Sequence, residues 1–299
     1  MRKAKLIILL LCSVVAGAYA QRYDTIFNPN STEKIPFYEQ LYRWRVWRNI
    51  NLLEKQNAGF KSAKSDIGAF LIKAIQSGSI VAYDGDSVKA AKTPGEVMVI
   101  NQAVMAAAYN PSQNYQAGDQ VSYQGKNYLT NRNDNKGNLP TDAQWWELGQ
   151  DQTELLQPSS IKELQIVEDV IFDKRRSRLY YDILYIGIIA EKDGNYSPKG
   201  FIYYKDFYNL VEKMAHSKDL DVRDKVQWRN RYNPSEGKTF TDAFKLRLFH
   251  GVIEKVENPD DWSIERIYQE NGRTYGESVF ARWEEEMKMM EKEHNLWEY

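Results

Sequence analysis

The 299-residue chain holds one cysteine and three histidines. The cysteine, Cys12, lies in the first twenty residues, so no disulfide framework can form further on and burial alone must stabilise the fold. His216, His250 and His294 are far apart and share no ligand spacing, and His250, on an apolar segment expected to be helical, is expected to be a satisfied core or boundary residue rather than a ligand. No cofactor is expected. The longest apolar stretch past the N-terminus, Ile183 to Ala190, has the length of a strand. A net charge of −1 gives no basic footprint, so nucleic acid is excluded as a partner. Gly237-Lys238-Thr239 has the end of a phosphate loop but Tyr232 where its first glycine belongs. Asp84-Gly85-Asp86 starts like a calcium loop, yet Val88 replaces the third oxygen ligand, so a turn is expected. With no nucleophile or metal motif, the chain is not expected to be an enzyme.

The N-terminus sets the compartment. Arg2, Lys3 and Lys5 precede the apolar run Leu6–Val15, and Ala18-Tyr19-Ala20 supplies small residues at the two positions read by a signal peptidase. Residues 1–20 are therefore expected to be a signal peptide cleaved after Ala20. Lipidation of Cys12 would need a small residue before it, where Leu11 stands.

Eight tryptophans and twenty tyrosines are present instead. Such residues join an apolar body to a polar handle and serve cores and interfaces alike. The apolar spacing predicts an amphipathic helix over 37–57, using Phe37, Leu41, Trp44, Trp47 and Leu53, and another over 66–77 with Ser65 as cap and Gly78 as stop. A short strand is expected over 80–83. The capping box at Thr93–Glu96 starts a helix expected to reach Ala107. Past Lys162 the pattern is strand-like over 166–172, 179–190 and 200–205, with Asp193-Gly194-Asn195 turning an antiparallel hairpin and Lys174-Arg175-Arg176 a solvated turn. Helices are expected over 207–215, over 242–256 with Thr241 as cap, and over 277–294. The last places Val279, Trp283, Met287 and Met290 on one stripe, for which core packing is the expectation and groove binding the alternative.

The fold class is thus α+β, an antiparallel sheet packed with several amphipathic helices, plus a small all-β insert. Residues 21–108 and 150–299 form the main domain. Residues 109–149 lose helical periodicity, turn rich in Asn, Gln, Gly, Tyr and Trp, and form the inserted module, with Val121, Tyr123 and Tyr128 expected to fill its core.

Several segments resemble the gliding-motility GldN (PorN) family: WRVWRNINLLEKQN from Trp44, FDKRRSRLYYDILYIGI from Phe172, FIYYKDFY from Phe201, FTDAFKLRLFHGVI from Phe240, and the terminal EHNLWEY. The resemblance implies a non-catalytic periplasmic component of the Bacteroidota type IX secretion and gliding machinery. It further implies a ring formed with an outer-membrane lipoprotein of the GldK or PorK type, contacted by the periplasmic part of the motor protein GldM or PorM. Within the insert, Tyr115, Gly118-Asp119, Val121, Tyr123, Gly125, Tyr128, Pro140 and Trp145 resemble a carbohydrate-binding module of family 5/12. That module's usual Ala-Lys-Trp-Trp run is replaced by Thr130-Asn131-Arg132-Asn133, which leaves Tyr109, Trp145 and Trp146 as candidate contacts for a glycan such as peptidoglycan. Aromatic and arginine clusters give the candidate partner interface: Trp44, Trp47, Arg175, Arg176, Trp297 and Tyr299. A glycan-binding function acting through the insert is the alternative to the structural one.

Overall fold

A computed structural model describes residues 26–101, 105–149, 153–233 and 235–296. The segment expected to be a signal peptide, Trp297 and Tyr299 lie outside the described residues. The chain divides into two compact units, Thr93–Gln157 and the remainder on either side of it. The class is α+β.

The larger unit is built on one antiparallel sheet. In chain order its strands are β1 (Gln40–Asn51), β2 (Ala82–Asp84), β3 (Ala90–Lys92), β4 (Ile161–Asp173), β5 (Arg178–Lys192), β6 (Asn195–Tyr203) and β7 (Val252–Val256). They lie side by side in the order β7-β1-β4-β5-β6-β2-β3. Its helices are α1 (Ile67–Gln76), α2 (Tyr204–Ala215), α3 (Leu220–Asp224), α4 (Phe240–Lys245), α5 (Ile264–Glu270) and α6 (Tyr275–Asn295).

The two long hairpins follow from turn chemistry. Between β5 and β6 the two-residue loop Asp193-Gly194 has φ of 52° and 80°, the left-handed pair that matches the twist of the flanking strands. Between β4 and β5 the turn Lys174–Ser177 is solvent-exposed and leaves through Ser177 at φ 49°. Strand β4, in the interior of the sheet, is buried from Ile166 to Asp173 without interruption. Where Phe201 meets Gly187 across β5 and β6, the ring lies over the glycine, and a Cβ there would come 2.6 Å from Phe201 Cε1.

Three expected helices are corrected. Residues 40–51 form strand β1, not a helix. Tyr42, Trp44, Val46 and Ile50 alternate at the period of a strand, and tyrosine, tryptophan, valine and isoleucine all favour one. Pairing with the full length of β4 then decides the conformation. The predicted 242–256 helix ends at Lys245: Arg247 takes φ 52°, and Gly251 lies so close to Arg48 that a Cβ would stand 3.0 Å from its Cγ. The chain leaves as β7 and pairs with β1. The capping box at Thr93 and Glu96 forms, but its helix is a single turn, Pro94–Val97, followed by strand Val99–Asn101. Helix α1 keeps its predicted span with Asp66 rather than Ser65 as cap, since the Asp66 carboxylate accepts from the Ala69 N–H at 2.9 Å.

On one face of the sheet Val46, Val170 and Ile253 pack against Ile264, Ala281 and Met289 of α5 and α6. On the other, Trp47, Val167 and Phe201 cluster with Tyr185. Phe60, Phe70, Phe207 and Phe244 form a chain of ring contacts at 5.2–5.8 Å that unites α1, α2 and α4.

The smaller unit contains strand pairs 114–115 with 135–136 and a three-stranded sheet of 120–123, 126–130 and 146–148. Its core is Tyr115, Val121 and Trp146, with Tyr109, Tyr128 and Trp145 packed around them. Gln124-Gly125, at φ 50° and 76°, turns the same kind of tight hairpin as Asp193-Gly194.

Gly187→Ala should overpack the contact with Phe201 and destabilise the larger unit by about 1–3 kcal/mol. Urea unfolding followed by tryptophan fluorescence will read this as a lower midpoint with an unchanged slope.

Candidate interaction surface

Of the residues expected at an interface, Trp47 is in the core. It is 8% exposed, its indole N–H donates to Asp86 at 2.7 Å, and the Lys255 ammonium lies 3.7 Å from its ring. Asp86 thereby has a structural role, holding Trp47 from the β2–β3 turn. Trp44 is half-buried, stacked on Tyr42 at 4.6 Å and covered by Lys292 of α6 at 4.6 Å. Arg175 and Arg176 are exposed at the tip of the β4–β5 hairpin. Their backbone N–H groups donate to the buried Asp173 at 2.9 and 3.2 Å, which fixes the tip in place.

In the smaller unit Trp146 is 2% exposed, and its indole N–H donates to the Asn138 carbonyl at 3.0 Å. A ring so buried presents no face to a sugar. Tyr109 and Trp145 are half-buried, and the Arg132 guanidinium lies 5.4 Å from the centre of the Trp145 ring. The core expected from Val121, Tyr123 and Tyr128 is corrected in part, since Tyr115 and Trp146 are the large buried side chains beside Val121.

The strongest electrostatic feature has no counterpart among the expectations from sequence. Glu168, fully buried on β4, takes both η nitrogens of Arg247 at 2.7 and 3.1 Å and the ε nitrogen of Arg48 at 3.2 Å. Arg48, 3% exposed, donates further to the Gly251 carbonyl at 2.8 Å and to Glu286 of α6 at 2.8 Å. The Arg247 guanidinium stacks 4.2 Å from the Tyr181 ring. Burial alone would raise the Glu168 carboxyl, but the two arginines outweigh it and hold it below the ordinary carboxylate range. A signal is present in the sequence: Glu168 and Asp169 interrupt the apolar run Ile166–Ile171, and a buried charge must be paired. His250, as expected, is a satisfied boundary residue whose Nδ1 lies 2.6 Å from Glu54.

On the opposite face Arg45 grips Asp169 at 2.7 and 3.2 Å, directly across β1 and β4. Asp182 stands across from Asp169 on β5, 1% exposed, with neither carboxylate oxygen in a well-formed hydrogen bond. Burial pushes its carboxyl up from 3.8 to about 6, and the polar groups of Ser31, Thr32 and Glu33 that face it offset only part of the rise.

The expected stripe on α6 is corrected. Trp283, Met287 and Met290 are 51%, 61% and 50% exposed, because α6 packs on the sheet through Ser278, Ala281 and Met289 instead. Small residues at 278 and 281 let that face approach closely. Among the described residues no group of His, Cys, Asp or Glu could hold a metal ion, and no helix is long and apolar enough to cross a membrane.

Glu168→Gln should cost on the order of 3–5 kcal/mol, since it leaves two guanidiniums without their buried counter-charge; urea unfolding checks this. Asp182 acts in the opposite sense. Its folded-state value is raised, so its contribution is fully present below the ordinary 3.8 and is lost as pH rises through about 6. Asp182→Asn should therefore stabilise the protein at pH 7.5 by on the order of 3 kcal/mol and flatten the fall in stability between about pH 4 and 7.

A model of the family described as gliding motility associated protein GldN matches residues 35–298. No curated protein matches the chain. The match runs through both units and covers the strands, the hairpin tip, the ionic cluster and α6. This chain belongs to the GldN family of gliding-motility proteins.

Proposed function

We propose that this chain is a non-catalytic structural component of the type IX secretion and gliding machinery. It works in the periplasm and assembles into a ring with an outer-membrane lipoprotein of the GldK or PorK type, contacted by a motor protein of the GldM or PorM type. The observation that supports this reading is the family match over 35–298, which takes in almost every described residue. The basic and then apolar leader supports export. The geometry suits a scaffold: an interior strand buried over Ile166–Asp173, an ionic cluster that ties α6 to the sheet, and a basic hairpin tip held by Asp173.

In this reading Arg175 and Arg176 reach a partner from the β4–β5 tip, and Trp44 supports the surface near α6. The chain is recruited to the outer membrane through protein contacts. Glycan binding through the smaller unit is the weaker reading, because of its three candidate contacts Trp146 is buried, and Arg132 already covers one of the two half-open ones, Trp145 and Tyr109.

Co-expression with the lipoprotein of the same secretion system tests the proposal. The two should co-purify after detergent extraction and form closed rings in negative-stain micrographs. Arg175→Glu, which spares the Arg176–Asp173 pair, should weaken the association at an unchanged melting temperature. Failure to associate with that lipoprotein in any detergent would contradict the proposal. Chitin oligomers should show no saturable binding; micromolar affinity lost in Trp145→Ala would move the function to the smaller unit.

A further inference from the structure

The exposed stripe on α6 extends beyond the three residues above. Phe280, Trp283, Met287 and Met290 are all half or more exposed, Phe280 most of all at 71%. Their spacing of three, four and three residues is that of the a and d positions of a heptad, the seam by which one helix packs along another. An apolar row of this length on a helix otherwise rich in charge calls for a cover.

The flanks say what that cover is. On one side of the row stand Glu284 and Glu291, on the other Glu286 and Glu293. No basic residue occupies these flanking positions. The cations of α6 are turned elsewhere: Lys292 lies over Trp44, Lys288 meets Glu285 at 2.5 Å, and Arg282 meets Glu265 at 2.9 Å behind the helix. Glu286 is shared with Arg48, so that flank is partly neutralised, but Glu284 and Glu291 are exposed and form no ion pair among the described residues. Two copies of this seam laid together, parallel or antiparallel, would set glutamate against glutamate, which destabilises helix pairs. A helix with lysine or arginine at its flanking positions meets both demands at once.

We infer that the outer face of α6 is a docking site for an amphipathic helix of another protein, apolar at its a and d positions and basic at its e and g positions. Helix α6 is fixed to the sheet through Ala281 and Met289 on its opposite face and the Arg48–Glu286 bond on one flank, so the seam is presented ready-made. Trp283 sits in the middle of the row beside the His250 ring, 6.1 Å between centroids, and serves as the anchor. The docking site rests on α6 alone and holds whether or not the chain forms a ring.

Two labelled helical peptides of the length of α6 test it on the full chain lacking residues 1–20. Both carry leucine at a and d; one has lysine and the other glutamate at e and g. Fluorescence anisotropy should show the lysine peptide binding at least about tenfold more tightly at low salt. Met287→Glu, at an exposed position, should abolish that binding without moving the melting temperature. Glu284→Lys with Glu291→Lys should reverse the preference between the peptides. Equal binding of the two, binding of neither, or indifference to Met287→Glu would overturn the inference. Self-association in sedimentation that Met287→Glu removes would assign the seam to a second copy and overturn the choice of partner.

Discussion

The larger unit depends on the pairing of Glu168 with Arg48 and Arg247. A carboxylate inside an interior strand could not be buried alone, because desolvating it costs several kcal/mol. Its neutralisation draws in β1 through Arg48 and the segment between α4 and β7 through Arg247, and Arg48 in turn holds α6 through Glu286. The paired residues stand between 79 and 238 positions apart in the sequence. One charge therefore fixes how distant segments meet. A hydrophobic pair in the same place would hold them together with less directional preference.

The same constraint shapes what the surface can do. With Arg48 reaching out to Glu286, α6 lies with Ser278, Ala281 and Met289 inward and Phe280, Trp283, Met287 and Met290 outward. A helix free to choose by burial alone would turn Trp283, Met287 and Phe280 toward the sheet. Instead the row stays open on the surface. Asp173 works in the same way at the far end of β4, where its oxygens hold the arginine tip in one conformation. The sheet is tied firmly in its interior and offers shaped features at its ends and along one helix.

Much of this is legible in the sequence where the determinants are local. Asp193-Gly194, the capping box at Thr93 and Glu96, and α1 with Gly78 at φ 68° need only near neighbours to take their shape. The elements that sequence misplaces are those decided at long range. Residues 40–51 satisfy a helical spacing and a strand alternation about equally, and only β4 decides between them. The run 242–256 reads as one helix until Arg247 is drawn to Glu168 and Gly251 to Arg48. The α6 stripe is visible, but its direction is not, since periodicity marks a face without saying what lies against it. Glu168 is visible as an acid within an apolar run, and its partners are not.

Central to this arrangement is the Arg48–Glu286 bond, which sets α6 in place on the sheet. Native-state hydrogen exchange on Glu286→Gln tests it most directly, because Glu286 is partly exposed and its loss spares the buried pair. Faster exchange confined to the amides of α6, with β1, β4 and β5 at wild-type protection, is the predicted result. Protection of α6 unchanged from the wild type would contradict it.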